Sequence, residues 1–244
     1  MASLDSWTLG EHRNAGGDTR PTYRKGTGPG VVVIHELPGM TPDVVAFGDE
    51  VVAAGFTVVM PVLFGKPGQG MSPLPLARSL AQVCTNAEFT KLATGRTAPV
   101  TDWLRSLARE LHTELGGPGV GALGMCFTGG YALAMMVDDA VVAPVLAQPA
   151  APFAVGRRRA ADLGLSPADQ DAVVARARAG CPVLGIRYVE DKAVGTRFET
   201  LHRLLGEKFL AVDLPGKGHA TLTEHRHQEA VDRVLAFFGE RLRG

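Results

Sequence analysis

The sequence predicts an α/β fold, a mostly parallel sheet flanked by helices on both faces, and three observations carry that expectation. Short apolar runs bounded by glycine or proline recur along the chain, each followed by a stretch of helical period. These runs are continuously apolar rather than alternating, the pattern of strands buried on both faces. The length of 244 residues suits one α/β domain, 1–244, with a core that needs no disulfide or metal to hold it.

Taken in order, the first run, 31–35, is β-branched and is entered from Gly28-Pro29-Gly30. The run 57–62 closes at Phe64-Gly65, and 120–125, 141–146, 183–189 and 209–214 complete the strands. Between them, 42–54, 97–115, 129–137, 167–179, 196–205 and 225–242 read as helices. Pro99 and Pro167 sit in first turns, where a missing N–H costs little. In the last helix Ala230, Val231, Val234, Leu235 and Phe238 form an apolar stripe at spacings of three and four. The segment 19–25 suggests an antiparallel edge strand. The connection 148–180 departs from the rhythm, with an Ala/Pro-rich start and the run Arg157-Arg158-Arg159. It reads either as a solvated loop leading to a helix or as a lid over a site.

Composition excludes several classes. Hydrophobic content of 45% is too high for a disordered chain, and 25 basic against 25 acidic residues provide no charge excess to attract nucleic acid. No apolar stretch reaches the roughly 20 residues of a membrane span, and the first twenty residues lack a signal-peptide core. Three cysteines (Cys84, Cys126 and Cys181) are too few for a disulfide framework, which favours a reducing, cytoplasmic setting. Neither the histidines nor the cysteines have zinc spacing, so no metal or other cofactor is expected. The oligomeric expectation is a monomer or homodimer.

Chemistry concentrates at Gly124-Met125-Cys126-Phe127-Thr128-Gly129-Gly130, where an apolar strand runs directly into a small-residue helix start. A nucleophile elbow needs this context, because a tight strand-to-helix turn exposes the central side chain. The helix N-terminus would favour a thiolate at Cys126. The competing reading is a buried packing cysteine, which is common. A base and an acid should follow in chain order, and they do. Glu190 and Asp191 come after the run 183–189, and His219 follows Gly216-Lys217-Gly218 after the run 209–214. The separations, 191 − 126 = 65 and 219 − 191 = 28, leave room for the intervening strand–helix units. Both positions fall at strand C-termini, where such sheets gather functional groups. His202, His225 and His227 fall on predicted helices, and the last two point to different faces.

With these residues in place the chain resembles the dienelactone hydrolase family of α/β-hydrolases, over nearly its whole length from Val31. That family has a Cys–Asp–His triad, a cysteine in a G-x-C-x-G-G setting, and an H-E-x-x-G stretch matched here by His35-Glu36-Leu37-Pro38-Gly39. The resemblance implies Cys126 as nucleophile, His219 as base, Asp191 rather than Glu190 as its orienting acid, and Glu36 as a carboxylate that tunes the thiol. It also implies an oxyanion hole from the backbone N–H groups of Leu37 and Phe127. Two departures stand out. Thr128 replaces the expected glycine, and the arginine that dienelactone-cleaving members carry shortly after the histidine is missing, since Ala220, Thr221, Leu222 and Thr223 follow His219 and the first arginine is Arg226. Upstream, the segment 84–89 has no cation, although Arg78, Lys91 and Arg96 are near it in sequence. The expected activity is cleavage of a small-molecule ester or lactone. Acyl transfer, lactone formation or rearrangement at the same site, and a non-catalytic binding protein on this scaffold, are the alternatives.

Overall fold

The computed structural model describes residues 2–89 and 94–244 of the chain. Eight strands form one sheet: β1 (Thr8–Arg13), β2 (Thr19–Lys25), β3 (Gly30–Ile34), β4 (Thr57–Pro61), β5 (Val120–Met125), β6 (Val141–Ala147), β7 (Val183–Tyr188) and β8 (Phe209–Leu214). Their order across the sheet is β1-β2-β4-β3-β5-β6-β7-β8. The six strands from β4 to β8 run parallel, while β1 and β2 are antiparallel additions at one edge. The helices are α1 (Pro42–Ala53), α2 (Pro73–Thr85), α3 (Val100–Leu115), α4 (Gly129–Met135), α5 (Gly156–Ala161), α6 (Pro167–Arg178), α7 (Arg197–Leu205) and α8 (Gln228–Leu242).

Continuous apolar strands are explained by cores on both sides. Val31 and Val33 of β3 and Leu123 and Met125 of β5 face one core with Val44, Phe47 and Val51 of α1 and Val231, Val234 and Phe238 of α8. Val32, Ile34, Val120 and Ala122 face the other, with Trp103 and Leu107 of α3, Leu133 of α4, Val173 of α6 and Phe198 of α7. An apolar stripe of about this size on each helix is what makes it pack rather than float.

The edge strand 19–25 is present as expected. Several boundaries and elements differ. β1 was not expected, because Thr8–Arg13 is almost wholly exposed and has no apolar pattern; it is held as the outer arm of a hairpin. α2 is not among the expected helices; it starts Pro73-Leu74-Pro75, and both prolines lie in the first turn, where no intrahelical N–H is required. Cys84 lies on this helix and is exposed and so does not pack in the core, whereas Cys181 is buried and its thiol donates to Val142 O at 3.5 Å. The last helix begins at Gln228 rather than 225, because the His225 and His227 N–H groups turn back to the carbonyls of Ala220 and Thr221. Within 148–180 the run Arg157-Arg158-Arg159 forms the short helix α5, with Arg157 and Arg158 exposed. Among the described residues no helix is long and apolar enough to cross a membrane.

The chain leaves β3 toward β4 on one side, while β5 pairs with β3 on the other. This reversal opens a crevice at the C-terminal ends of β3 and β5, the place where open α/β sheets bind ligands.

Candidate active site

Cys126 follows β5 directly, with φ of +51°, a left-handed conformation unusual for a side-chain-bearing residue. Such a turn lifts the side chain out of the sheet. The close approach behind it requires Gly124, where a Cβ would lie 2.1 Å from the Thr128 carbonyl oxygen. Thr128 itself has φ of −92°, so this position does not demand glycine. Its buried hydroxyl accepts the Met125 N–H at 3.0 Å and lies 3.2 and 3.1 Å from the carbonyl oxygens of Ile34 and His35. The departure from the family pattern therefore ties the elbow to the end of β3.

Asp191 follows β7, and its N–H donates to Tyr188 O at 3.1 Å. One carboxylate oxygen accepts the Ala193 N–H at 2.9 Å, while the other lies 2.7 Å from His219 Nδ1. The side chain of Asp191 is 5% exposed. Glu190, the competing acid, points away to an exposed pairing with Lys217 at 3.7 Å. Gly218 lets the loop lie flat on Tyr188, since a Cβ there would come within 2.5 Å of the ring. With Nδ1 engaged by Asp191, the histidine's second ring nitrogen is left open, and Cys126 is the other group that acts on the ring. Burial opposes the imidazolium, but the Asp191 and Cys126 hydrogen bonds and the charges of both groups outweigh it and push His219 up to about 10. At neutral pH the ring is a cation.

Glu36 comes after β3 and is 5% exposed, so it is not a surface acid. Its burial raises its proton affinity above the usual carboxylate range, against the Thr223 hydroxyl, the His219 charge and the Gln148 amide, which all favour the anion. Gln148 Nε2 donates to Oε2 at 3.3 Å, and the Thr223 hydroxyl bonds Oε1. Preceding it, His35 is fully buried, which lowers its proton affinity to about 4. Its Nε2 accepts the Leu63 N–H at 3.1 Å, leaving Nδ1 to donate to the Glu36 carbonyl at 3.2 Å. His35 is thus a neutral strut that holds the backbone of Glu36.

Leu37 and Phe127 lie at the C-terminal ends of the adjacent strands β3 and β5, both buried. The Phe127 ring packs edge-on against Phe64, Phe89 and Tyr131. Phe89, Phe127, Tyr131, Ala151, Pro152 and Leu163 line an apolar cleft beside the elbow. The candidate cations are dispersed. Arg226 pairs with half-buried Glu50 at 2.7 Å, Arg78 lines a cleft along α2 with Lys66 and Gln82, Arg96 is exposed, and Lys91 lies outside the described residues. Among the described residues no three His, Cys, Asp or Glu side chains are grouped to hold a metal.

Two residues that matter to this geometry carried no signal in the sequence. Gln148 was visible only as the start of an Ala/Pro-rich connection. Arg197, 1% exposed, donates to five backbone carbonyls, those of Pro152, Arg159, Asp162, Ala193 and Val194. It thereby joins the 148–180 connection to the loop that carries Asp191.

No curated protein matches the chain. Among solved structures, a dienelactone hydrolase from Anabaena variabilis aligns with a TM-score of 0.66 and 14% identity, covering 97% of this chain and 99% of that one. P91, a dienelactone hydrolase-like promiscuous phosphotriesterase from metagenomic libraries, aligns with a TM-score of 0.66 and 15% identity over 97% and 99%. DcsB, solved with a substrate analogue, aligns with a TM-score of 0.66 and 13% identity over 98% and 100%. These likenesses establish the α/β-hydrolase fold. The dienelactone hydrolase family description matches residues 19–242, nearly the whole chain, and so the protein belongs to the dienelactone hydrolase family, enzymes of ester hydrolysis.

Proposed function

We propose that this protein hydrolyses an ester or lactone of a small molecule through an acyl-enzyme on Cys126. The observation that carries the reading is one arrangement: Asp191 bonds His219 Nδ1 at 2.7 Å, and His219 is acted on in turn by a cysteine at a left-handed elbow.

The thiolate of Cys126 attacks the carbonyl carbon, and the electron pair moves to the carbonyl oxygen. That oxyanion rests on the N–H groups of Leu37 and Phe127, which supply charge stabilisation where it develops. Collapse expels the alcohol oxygen, which takes its proton from the His219 imidazolium. Neutral His219 then accepts a proton from water as that water attacks the thioester, and the second collapse returns Cys126 as thiolate beside imidazolium. Asp191 keeps the ring oriented throughout. Glu36 tunes the thiol: its burial favours the uncharged carboxyl, which leaves the neighbouring anion unopposed. An apolar cleft lies beside Phe127. The chain acts as one catalytic unit, with 148–180 walling that cleft, and a reducing cytoplasm suits a free thiol at its centre.

The test is turnover of activated esters and a lactone panel by the wild type and Cys126→Ala, with intact-mass detection of the acyl adduct. Turnover and an adduct that both vanish in Cys126→Ala are expected. Wild type that neither turns over nor forms an adduct overturns the reading. Products carrying an acceptor alcohol or amine in place of water would redirect it to acyl transfer.

A further inference from the structure

We infer that Gln148 is a positioning residue that links Glu36, the His219 loop and the nucleophile elbow, and that its amide sets the ionisation of the Cys126–His219 pair. This inference concerns the thiol's state and rests on the reading of Cys126 as nucleophile.

Gln148 stands directly after β6, fully buried, and its φ of +35° makes it, with Cys126, one of two side-chain-bearing residues in left-handed backbone among the described residues. Residues other than glycine rarely hold such a conformation without surroundings that enforce it, and these cluster at functional sites. Here the surroundings are polar on every side. The backbone N–H donates to Ile186 O at 2.7 Å, extending the contact of β6 with β7. The side-chain oxygen accepts both the Thr221 N–H, at 3.2 Å, and the Thr221 hydroxyl, at 2.6 Å. A backbone N–H can only donate, so the amide's orientation is decided: its oxygen must face Thr221, and its NH₂ must face Glu36 Oε2 at 3.3 Å.

The consequences reach all three partners. Thr221 lies two residues after His219, so the amide oxygen anchors the histidine loop. The NH₂ group is a neutral donor to Glu36, which has hydrogen bonds from Gln148 and Thr223 and no ion-pair partner among the described residues. Two residues further on, the Ala150 N–H donates to the Cys126 carbonyl at 2.9 Å. One three-residue segment therefore touches the acid, the base loop and the nucleophile's backbone. An uncharged bridge suits this place: it satisfies a buried carboxyl without adding a cation that would compete with His219 for the thiolate. The titratable groups around the thiol and Glu36 are His219, Asp191 and Glu224, with neutral His35 on the β3 side.

The test reads thiol state rather than turnover. In a Cys84→Ser background, which removes the exposed thiol, alkylation of Cys126 by iodoacetamide is followed by peptide mass across pH 5–9, together with melting temperature. Gln148→Ala removes both links, while Gln148→Glu keeps an oxygen for Thr221 and sets a second against Glu36. Gln148→Gly also removes both links but relieves the left-handed backbone, and so serves where alanine fails to fold. Loosening of the His219 loop by loss of the Thr221 anchor in Gln148→Ala and Gln148→Gly outweighs the lost donor to Glu36, and in Gln148→Glu a second carboxyl opposes the thiolate, so in each variant alkylation at pH 6–7 should fall about tenfold as its acid limb moves up by about one pH unit. A structural role alone would lower the melting temperature and leave the alkylation profile in place, and that result overturns the inference. So does failure of all three variants to fold. If Cys126→Ala keeps full esterase activity while the Gln148 variants shift the profile, the reading of Cys126 as nucleophile fails and only the effect of Gln148 on the thiol stands.

Discussion

His219 Nδ1 and Asp191 Oδ2 lie 2.7 Å apart although 28 residues separate them, and the contact forms because β7 and β8 are parallel neighbours that present both loops at the same sheet end. The direction of this bond determines what the rest of the ring can do: an Nδ1–H held by a carboxylate leaves the other nitrogen toward Cys126.

Asp191→Asn keeps the size of the side chain and removes the charge that holds this tautomer. kcat for an activated ester should drop roughly 10²–10⁴-fold with a smaller change in KM. Equal kcat in the variant would remove Asp191 from the mechanism, and Glu190→Gln, whose side chain points to Lys217, serves as the control.

The raised proton affinity of His219 has a stability consequence. A base whose folded-state value stands above its unfolded value of 6.5 stabilises the fold fully below 6.5, and that contribution is lost as pH rises toward about 10. Denaturant unfolding of the wild type should therefore show stability declining between these limits. His219→Gln should flatten that slope; an unchanged slope would mean that the ring's proton is not coupled to folding.

Glu36 acts with the same sign through a different cause. Burial raises its proton affinity, so the folded state holds the proton longer than the unfolded chain, and stability falls as pH climbs above about 4.5. Glu36→Gln removes the ionisation while keeping an oxygen for Gln148 Nε2 and a group for the Thr223 hydroxyl. Melting temperature should rise relative to wild type at pH 7–8, with the difference vanishing near pH 4. A variant less stable at every pH would contradict this account.

Arg197 is a buried cation whose five hydrogen-bond partners are all carbonyls, and burial lowers its proton affinity to about 10. Arg197→Met fills similar space but strips donors from those carbonyls, which should cost about 3 kcal/mol or more. For a chain of this size that corresponds to a fall of about 6–12 °C in melting temperature. Arg197→Lys, with three donors and no planar fork, should recover only part. A loss below 1 kcal/mol would show that water satisfies the carbonyls equally well.

Much of the architecture was legible in the chain because its causes are local. Apolar runs and their following helical stripes report burial on two faces, and the six parallel strands were all visible this way. Glycines around Cys126 report a turn that other residues would obstruct, as Gly124 does against the Thr128 carbonyl. Where local signals conflict with the outcome, tertiary context prevailed: α2 begins at two prolines, and β1 has no pattern of its own but gains a partner in β2.

By itself, then, the sequence determined the α/β sheet, the position of a cysteine elbow, and the order of acid and histidine loops behind it, since periodicity and turn chemistry act over a few residues. Only the tertiary structure decided which acid reaches His219, that Glu36 is buried and meets Thr223 and Gln148 instead of a cation, and that Arg197 binds the 148–180 connection to the Asp191 loop. Those contacts join residues far apart in the chain, 187 positions between Glu36 and Thr223 and 112 between Glu36 and Gln148. Whether such polar groups meet depends on strand order and register, which bring loop ends together only after both cores have packed.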